Sequence, residues 1–87
     1  IRTVALCGGS GAFLLPRAVA SRADVFLTGE VKYHEYFNYE KDILVAEIGH
    51  YESEQYTKEI FYSIIKDVFP GLKVEMTSVN TNPINYL

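Results

Sequence analysis

The stretch "ILVAEIGHYESE", residues 43–54, changes its period halfway. Its first six residues are apolar or β-branched, with a single acid, and too few for a buried helix, so they read as a buried strand. Gly49 closes the run. Beyond it, Phe61, Ile64, Ile65 and Val68 recur at helical spacing, with Ile60 at the edge of the stripe. The expected helix runs over residues 51–69 and stops at Pro70-Gly71. The unit is therefore strand, tight loop, helix.

The same unit occurs twice upstream. "TVALC" (3–7) precedes the turn signal "GGSG" (8–11) and a helix over residues 12–23. Ser10 is available there as N-cap, and Pro16 is tolerable only in the first turn. "DVFLT" (24–28) precedes a helix over residues 31–42, and "KVEMTSV" (73–79) reads as a fourth strand. Strands alternating with helices imply right-handed crossovers and a mostly parallel sheet. The expected fold is thus α/β, βαβαβαβ, in a single domain of residues 1–87. The first three strands look apolar on both faces, as strands covered by helices are. The tail 80–87 has no periodicity and is expected to pack as an extension or against a partner.

Composition narrows the function classes. An apolar share of 48% with 22% charged residues is an ordinary globular balance, and 87 residues bury a modest core. The net charge of −3 and the scattered Lys and Arg argue against a nucleic-acid partner. One cysteine, Cys7, excludes an internal disulfide and suits a reducing, cytoplasmic setting. No apolar run reaches the roughly 18 residues of a membrane span, and no signal-peptide pattern opens the chain. The abrupt entry into a strand at "IRTVAL" suggests a fragment or a processed chain.

In a parallel sheet the strand-to-helix loops meet at one edge, where ligands bind. Loops 8–11, 28–34 and 49–54 hold both histidines, His34 and His50, with Glu30, Lys32, Glu52 and Glu54. At about 100° per residue, Glu54 falls within roughly 20° of the apolar stripe, and His50 falls on the same line if the helical phase extends back to it. Glu52 points about 180° away. A buried carboxylate needs a cation, proton or donor, and an imidazole one turn from it makes a two-pronged arm for a divalent metal. The bland alternative is an acidic helix start with a Glu54–Lys58 pair. Glu30, Lys32 and His34 are candidate substrate or proton-transfer groups, or a solvated helix start. Residues 8–11 match no phosphate-binding motif and read as a tight turn, and Cys7 reads as a buried small hydrophobe. The tyrosines of "YHEYFNYE" read as packing.

"CGGSGAF", "ADVFLTGEVKYHEYF", "IGHYESEQYTKE" and "TNPINY" occur here in an order and spacing that closely resemble the C-terminal part of the NIF-three-like family, the GTP cyclohydrolase I type 2 homologues. The resemblance covers essentially the whole chain. It implies a partial fold of a larger α/β protein, with a dinuclear site for divalent metals of the Zn, Fe, Mn or Co type. Of the ligand set, His50 and Glu54 match the C-terminal His and Glu. A His-His pair and an Asp would come from the N-terminal half, which this chain lacks. Glu30, Lys32 and His34 would line the cavity. The resemblance also implies a homo-oligomer, a hexamer in the family, and hydrolase-like chemistry that this segment alone would not perform. A metal-dependent scaffold or regulator without turnover is the alternative.

Overall fold

A computed structural model describes all of residues 1–87. The chain divides into two compact units, Ile1–Glu54 and Gln55–Leu87.

The first unit is a three-stranded parallel sheet in the order β1-β2-β3, formed by β1 (Val4–Cys7), β2 (Val25–Thr28) and β3 (Leu44–Glu47). The register sets Ala5, Phe26 and Val45 in one rank and Cys7, Thr28 and Glu47 in the next. These ranks share a face, because strand side chains alternate. Helix α1 (Leu15–Ala20) supplies Leu15 and Ala18 to the core formed with Ala23, Phe26 and Ile43. Leu15 and Phe26 are fully enclosed, and each such burial contributes about 1.5–3 kcal/mol. The opposite face is open at the flanking strands: Val4, Leu6 and Leu44 are 50%, 74% and 60% exposed. Only β2 is covered as the sequence suggests, so apolar composition on both faces does not here mean helices on both faces.

The first crossover departs from a single helix over 12–23. A 3-10 turn, Ala12–Leu14, leads into α1, and Pro16 lies in the first turn of α1, where no helical N–H is lost. The helix ends at Ala20 because the chain turns left-handed at Arg22, φ 57°. Ala23 N–H then bonds Ala18 O, and Arg22 N–H bonds Val19 O. This is the Schellman closure, with Arg where glycine is usual. The second crossover contains only α2 (Tyr33–Tyr36), which starts where the Lys32 N–H donates to the Glu35 carboxylate at 2.9 Å. Residues 37–42 continue as turns, an Asn- and Tyr-containing stretch of low helix propensity.

The expected helix over 51–69 is two helices. Helix α3 is His50–Glu54 and α4 is Thr57–Val68. The Ser53 hydroxyl donates back to His50 O at 2.9 Å, a local bond that competes with regular helix.

In the second unit, α4 carries the anticipated stripe, with Ile60, Phe61, Ile64 and Val68 more than half exposed. Phe69 N–H closes the helix on Ile65 O at 2.8 Å. The Lys66 ammonium donates to Leu72 O at 3.0 Å, placing a cation at the negative end of the helix. Residues 73–79 form no strand, contrary to the fourth strand expected from their β-rich composition. Propensity alone makes no strand, since a ladder needs a partner edge. No helix in the chain is long and apolar enough to cross a membrane.

Candidate functional site

The C-terminal ends of the three strands carry three loops that are stitched together by backbone rather than by side-chain packing. Gly9 O is the hub. It accepts from Gly11 N–H at 3.1 Å and from Gly29 and Glu30 N–H at 3.0 Å each. The Thr28 hydroxyl, almost fully buried, donates to the same carbonyl at 3.2 Å and accepts from Gly11 N–H at 3.1 Å. Ser53 ties the third loop in: its hydroxyl accepts from Gly9 N–H at 2.9 Å. Glu30 and α3 are therefore anchored to one residue, Gly9, the first through its carbonyl and the second through its N–H.

Gly9 cannot be another residue without cost. Its φ is +65°, a left-handed conformation that glycine alone adopts freely. A Cβ there would lie 2.4 Å from Glu54 Oε1 and 3.5 Å from His50 Nε2. Gly9 is thus the floor beneath the His50–Glu54 pair.

On that floor three side chains stand in a row. Glu30 Oε2 lies 2.8 Å from His50 Nδ1, and Glu54 Oε2 lies 3.1 Å from His50 Nε2. The Ser10 hydroxyl donates to Glu30 Oε2 at 3.0 Å. The His50 and Glu54 side chains are each about half exposed, 50% and 52%. Hydrogen bonding to Glu30, reinforced by the charge of Glu54, raises the affinity of His50 for its proton. The same hydrogen bond, with that from Ser10, lowers the pKa of Glu30.

The i, i+4 pairing of His50 with Glu54 is therefore present, though not for the reason given by helical phase. The break after α3 disconnects Glu54 from the stripe of α4. Glu54 is exposed rather than buried, and the cost of a buried carboxylate does not arise. Nor does Glu52 point simply to solvent. Its carboxylate folds over Gly49, where an added Cβ would fall 2.0 Å from Glu52 Oε2, and the residue is only partly exposed.

Lys32 lines a cleft of about 160 Å³ together with Ser10, Ala12, Phe13, Glu30 and Glu35. His34 is not among these residues; it stands on α2, its ring edge-on to Tyr33 at 5.4 Å. Tyr36 donates to the Glu47 carboxylate, which pushes its pKa up to about 12. Ser10 caps no helix and is committed to Glu30 instead. Gly9, Thr28 and Ser53 escape notice in the sequence because each works through a backbone or hydroxyl contact between loops distant in the chain.

The donor set suits a divalent ion, although no three His, Cys, Asp or Glu residues here converge round one point. Glu30 and Glu54 flank opposite nitrogens of the imidazole, so the three lie in line. The 3.1 Å between Nε2 and Oε2 falls in the range spanned by two ligands each about 2.1 Å from one ion.

The Duf34/NIF3 (NGG1p interacting factor 3) family model matches residues 1–83. The chain belongs to this family. Among curated relatives, a Staphylococcus aureus protein named GTP cyclohydrolase 1 type 2 homolog is 34% identical over 100% of this chain and 25% of its own length. Its namesake in Lactococcus lactis is 31% identical over 95% of this chain and 32% of its own. A Staphylococcus aureus crystal structure superposes with a TM-score of 0.73 at 28% identity, covering 97% of this chain and 29% of that one. A Bacillus cereus protein related to NIF3 shares the fold, with a TM-score of 0.70 at 22% identity. The chain spans about a quarter to a third of the length of these Duf34/NIF3 relatives.

Proposed function

We propose that this chain is the C-terminal segment of a dinuclear-metal hydrolase-like protein and that it contributes His50 and Glu54 as ligands. The observation that carries the reading is the His50 Nε2 to Glu54 Oε2 pair at 3.1 Å, set over Gly9 at the sheet edge. The relatives' name, GTP cyclohydrolase 1 type 2 homolog, points to hydrolytic chemistry. The remaining ligands, by family resemblance a His-His pair and an Asp, lie outside these residues, and further copies of the protein complete the oligomer.

Divalent ions bound there supply Lewis-acid activation for hydrolysis. The chain's own residues do the rest. His50 and Glu54 give a neutral nitrogen and an anionic oxygen on one side of α3. The cleft beside Glu30 has Phe13 as an apolar wall and the Lys32 cation set among two carboxylates, Glu30 and Glu35.

Metal content tests the proposal. In the complete protein that carries this chain, His50→Ala and Glu54→Ala each lower the bound divalent metal, with the oligomer intact by light scattering. Unchanged metal content in both variants would refute it. The 87-residue chain alone binds the same ion weakly, so tight stoichiometric binding by the monomeric chain also contradicts the assignment.

A further inference from the structure

We infer that Glu30 is a positioning residue for His50: held by Ser10 and by the Gly9 carbonyl, it fixes the imidazole so that Nε2, and not Nδ1, is presented beside the Glu54 carboxylate. The inference rests on the proposed ligand role of His50 and Glu54 and assigns a task to a third acid.

The geometry is specific. Glu30 is anchored twice, through its own N–H to Gly9 O at 3.0 Å and through the Ser10 hydroxyl to its Oε2 at 3.0 Å. The same Oε2 meets His50 Nδ1 at 2.8 Å, a closer contact than the 3.1 Å between Nε2 and Glu54. A half-exposed imidazole without that anchor can turn about its side-chain bonds and exchange its two nitrogens. A carboxylate on one ring nitrogen fixes both the tautomer and the plane of a metal-bound histidine, and losing such a partner typically weakens metal affinity about 10–100-fold. Gly9 serves Glu30 and Glu54 alike, since its carbonyl holds one backbone and its missing Cβ leaves room for the other carboxylate. The row Ser10–Glu30–His50–Glu54 thus runs from the first loop through the second to the third.

The test is Zn²⁺ affinity, measured by competition with a chromophoric chelator, in the complete protein that carries this chain. Glu30→Ala is expected to weaken Zn²⁺ binding about 10–100-fold. Glu30→Gln, whose amide oxygen still accepts from Nδ1–H, recovers a substantial part of that loss. Ser10→Ala, which loosens Glu30 without removing it, gives a smaller loss in the same direction. Should Glu30→Ala fail to fold, the Gln and Ser10 variants carry the test, and both at wild-type affinity would overturn the inference. Glu30→Ala within twofold of wild type, or Ala and Gln equally impaired, also overturns it. His50→Ala separates the two readings. If it abolishes Zn²⁺ binding at this site while Glu30→Ala does not weaken it, only the positioning role falls. If His50→Ala leaves binding unchanged, the ligand assignment falls and takes the positioning role with it.

Discussion

Replacing Gly9 by alanine separates the cost of the fold from the cost to the site. Two effects act at that position. The backbone stands at φ +65°, and a left-handed conformation costs an L-residue roughly 1–2 kcal/mol. The added methyl also lies 2.4 Å from Glu54 Oε1, closer than any stable contact. That oxygen ends a flexible, half-exposed side chain, so the carboxylate swings aside instead of the backbone. Gly9→Ala therefore loses about 1–2 kcal/mol of stability, close to the backbone term alone. The Glu54 carboxylate, meanwhile, is displaced from His50. Gly71→Ala is the control: a Cβ there meets nothing within 4 Å, and its φ lies outside the left-handed region. It should be neutral or stabilising by up to about 1 kcal/mol, through the unfolded chain. Urea unfolding reads the first quantity, and the NMR titration of the His50 ring reads the second. The reasoning fails if Gly9→Ala matches Gly71→Ala in stability. It fails equally if the His50 titration is unmoved, since the methyl would then leave Glu54 in place.

Three further outcomes follow from the same geometry. Thr28→Val keeps the shape of a buried side chain but removes the hydroxyl that bridges Gly9 O and Gly11 N–H, and should cost about 1–3 kcal/mol in urea unfolding, with Thr28→Ser retaining the bridge. The Glu30–His50 ion pair sets a pH window. The raised His50 pKa gives stability that is complete below the ordinary 6.5 and fades as pH rises through the folded value, while the lowered Glu30 pKa gives stability present above the ordinary 4.5 and lost as pH falls through its own. Glu54 on Nε2 and Lys32 near Glu30 act in the same sense, so the pair contributes most between those two values, and His50→Gln should flatten the stability profile there. Glu47→Gln should bring the Tyr36 phenol, now pushed up to about 12, back toward its ordinary 10.0 in an ultraviolet titration.

Much of the first unit is legible in the chain. Short β-branched runs ending in Gly8, Gly29 and Gly49 give the three parallel strands, because each run is too short for a helix and is closed by a turn residue. Helix lengths are less legible. Pattern cannot show that Arg22 adopts a left-handed turn, nor that a turn at residues 55–56 separates α3 from α4. Residues 73–79 have the composition of a strand, yet composition does not supply the partner edge.

The site divides in the same way. The i, i+4 spacing makes His50 and Glu54 visible, since it holds in a single helical turn whatever follows. The row that aligns them depends on contacts 20 to 44 residues apart in sequence: Ser10 with Glu30, Glu30 with His50, and Gly9 with Ser53. No local pattern encodes these. The nearest signal is the doubled glycine after β1, read as a tight turn, whose second member, Gly9, stands at φ +65° beside the Glu54 carboxylate.

The claim that this chain supplies a metal arm is tested most directly by anomalous diffraction from a Zn²⁺-loaded crystal of the complete protein. The account predicts an anomalous peak within bonding distance of both His50 Nε2 and a Glu54 carboxylate oxygen, with Nδ1 still on Glu30. Peaks elsewhere, with His50 remaining between its two glutamates, would contradict it.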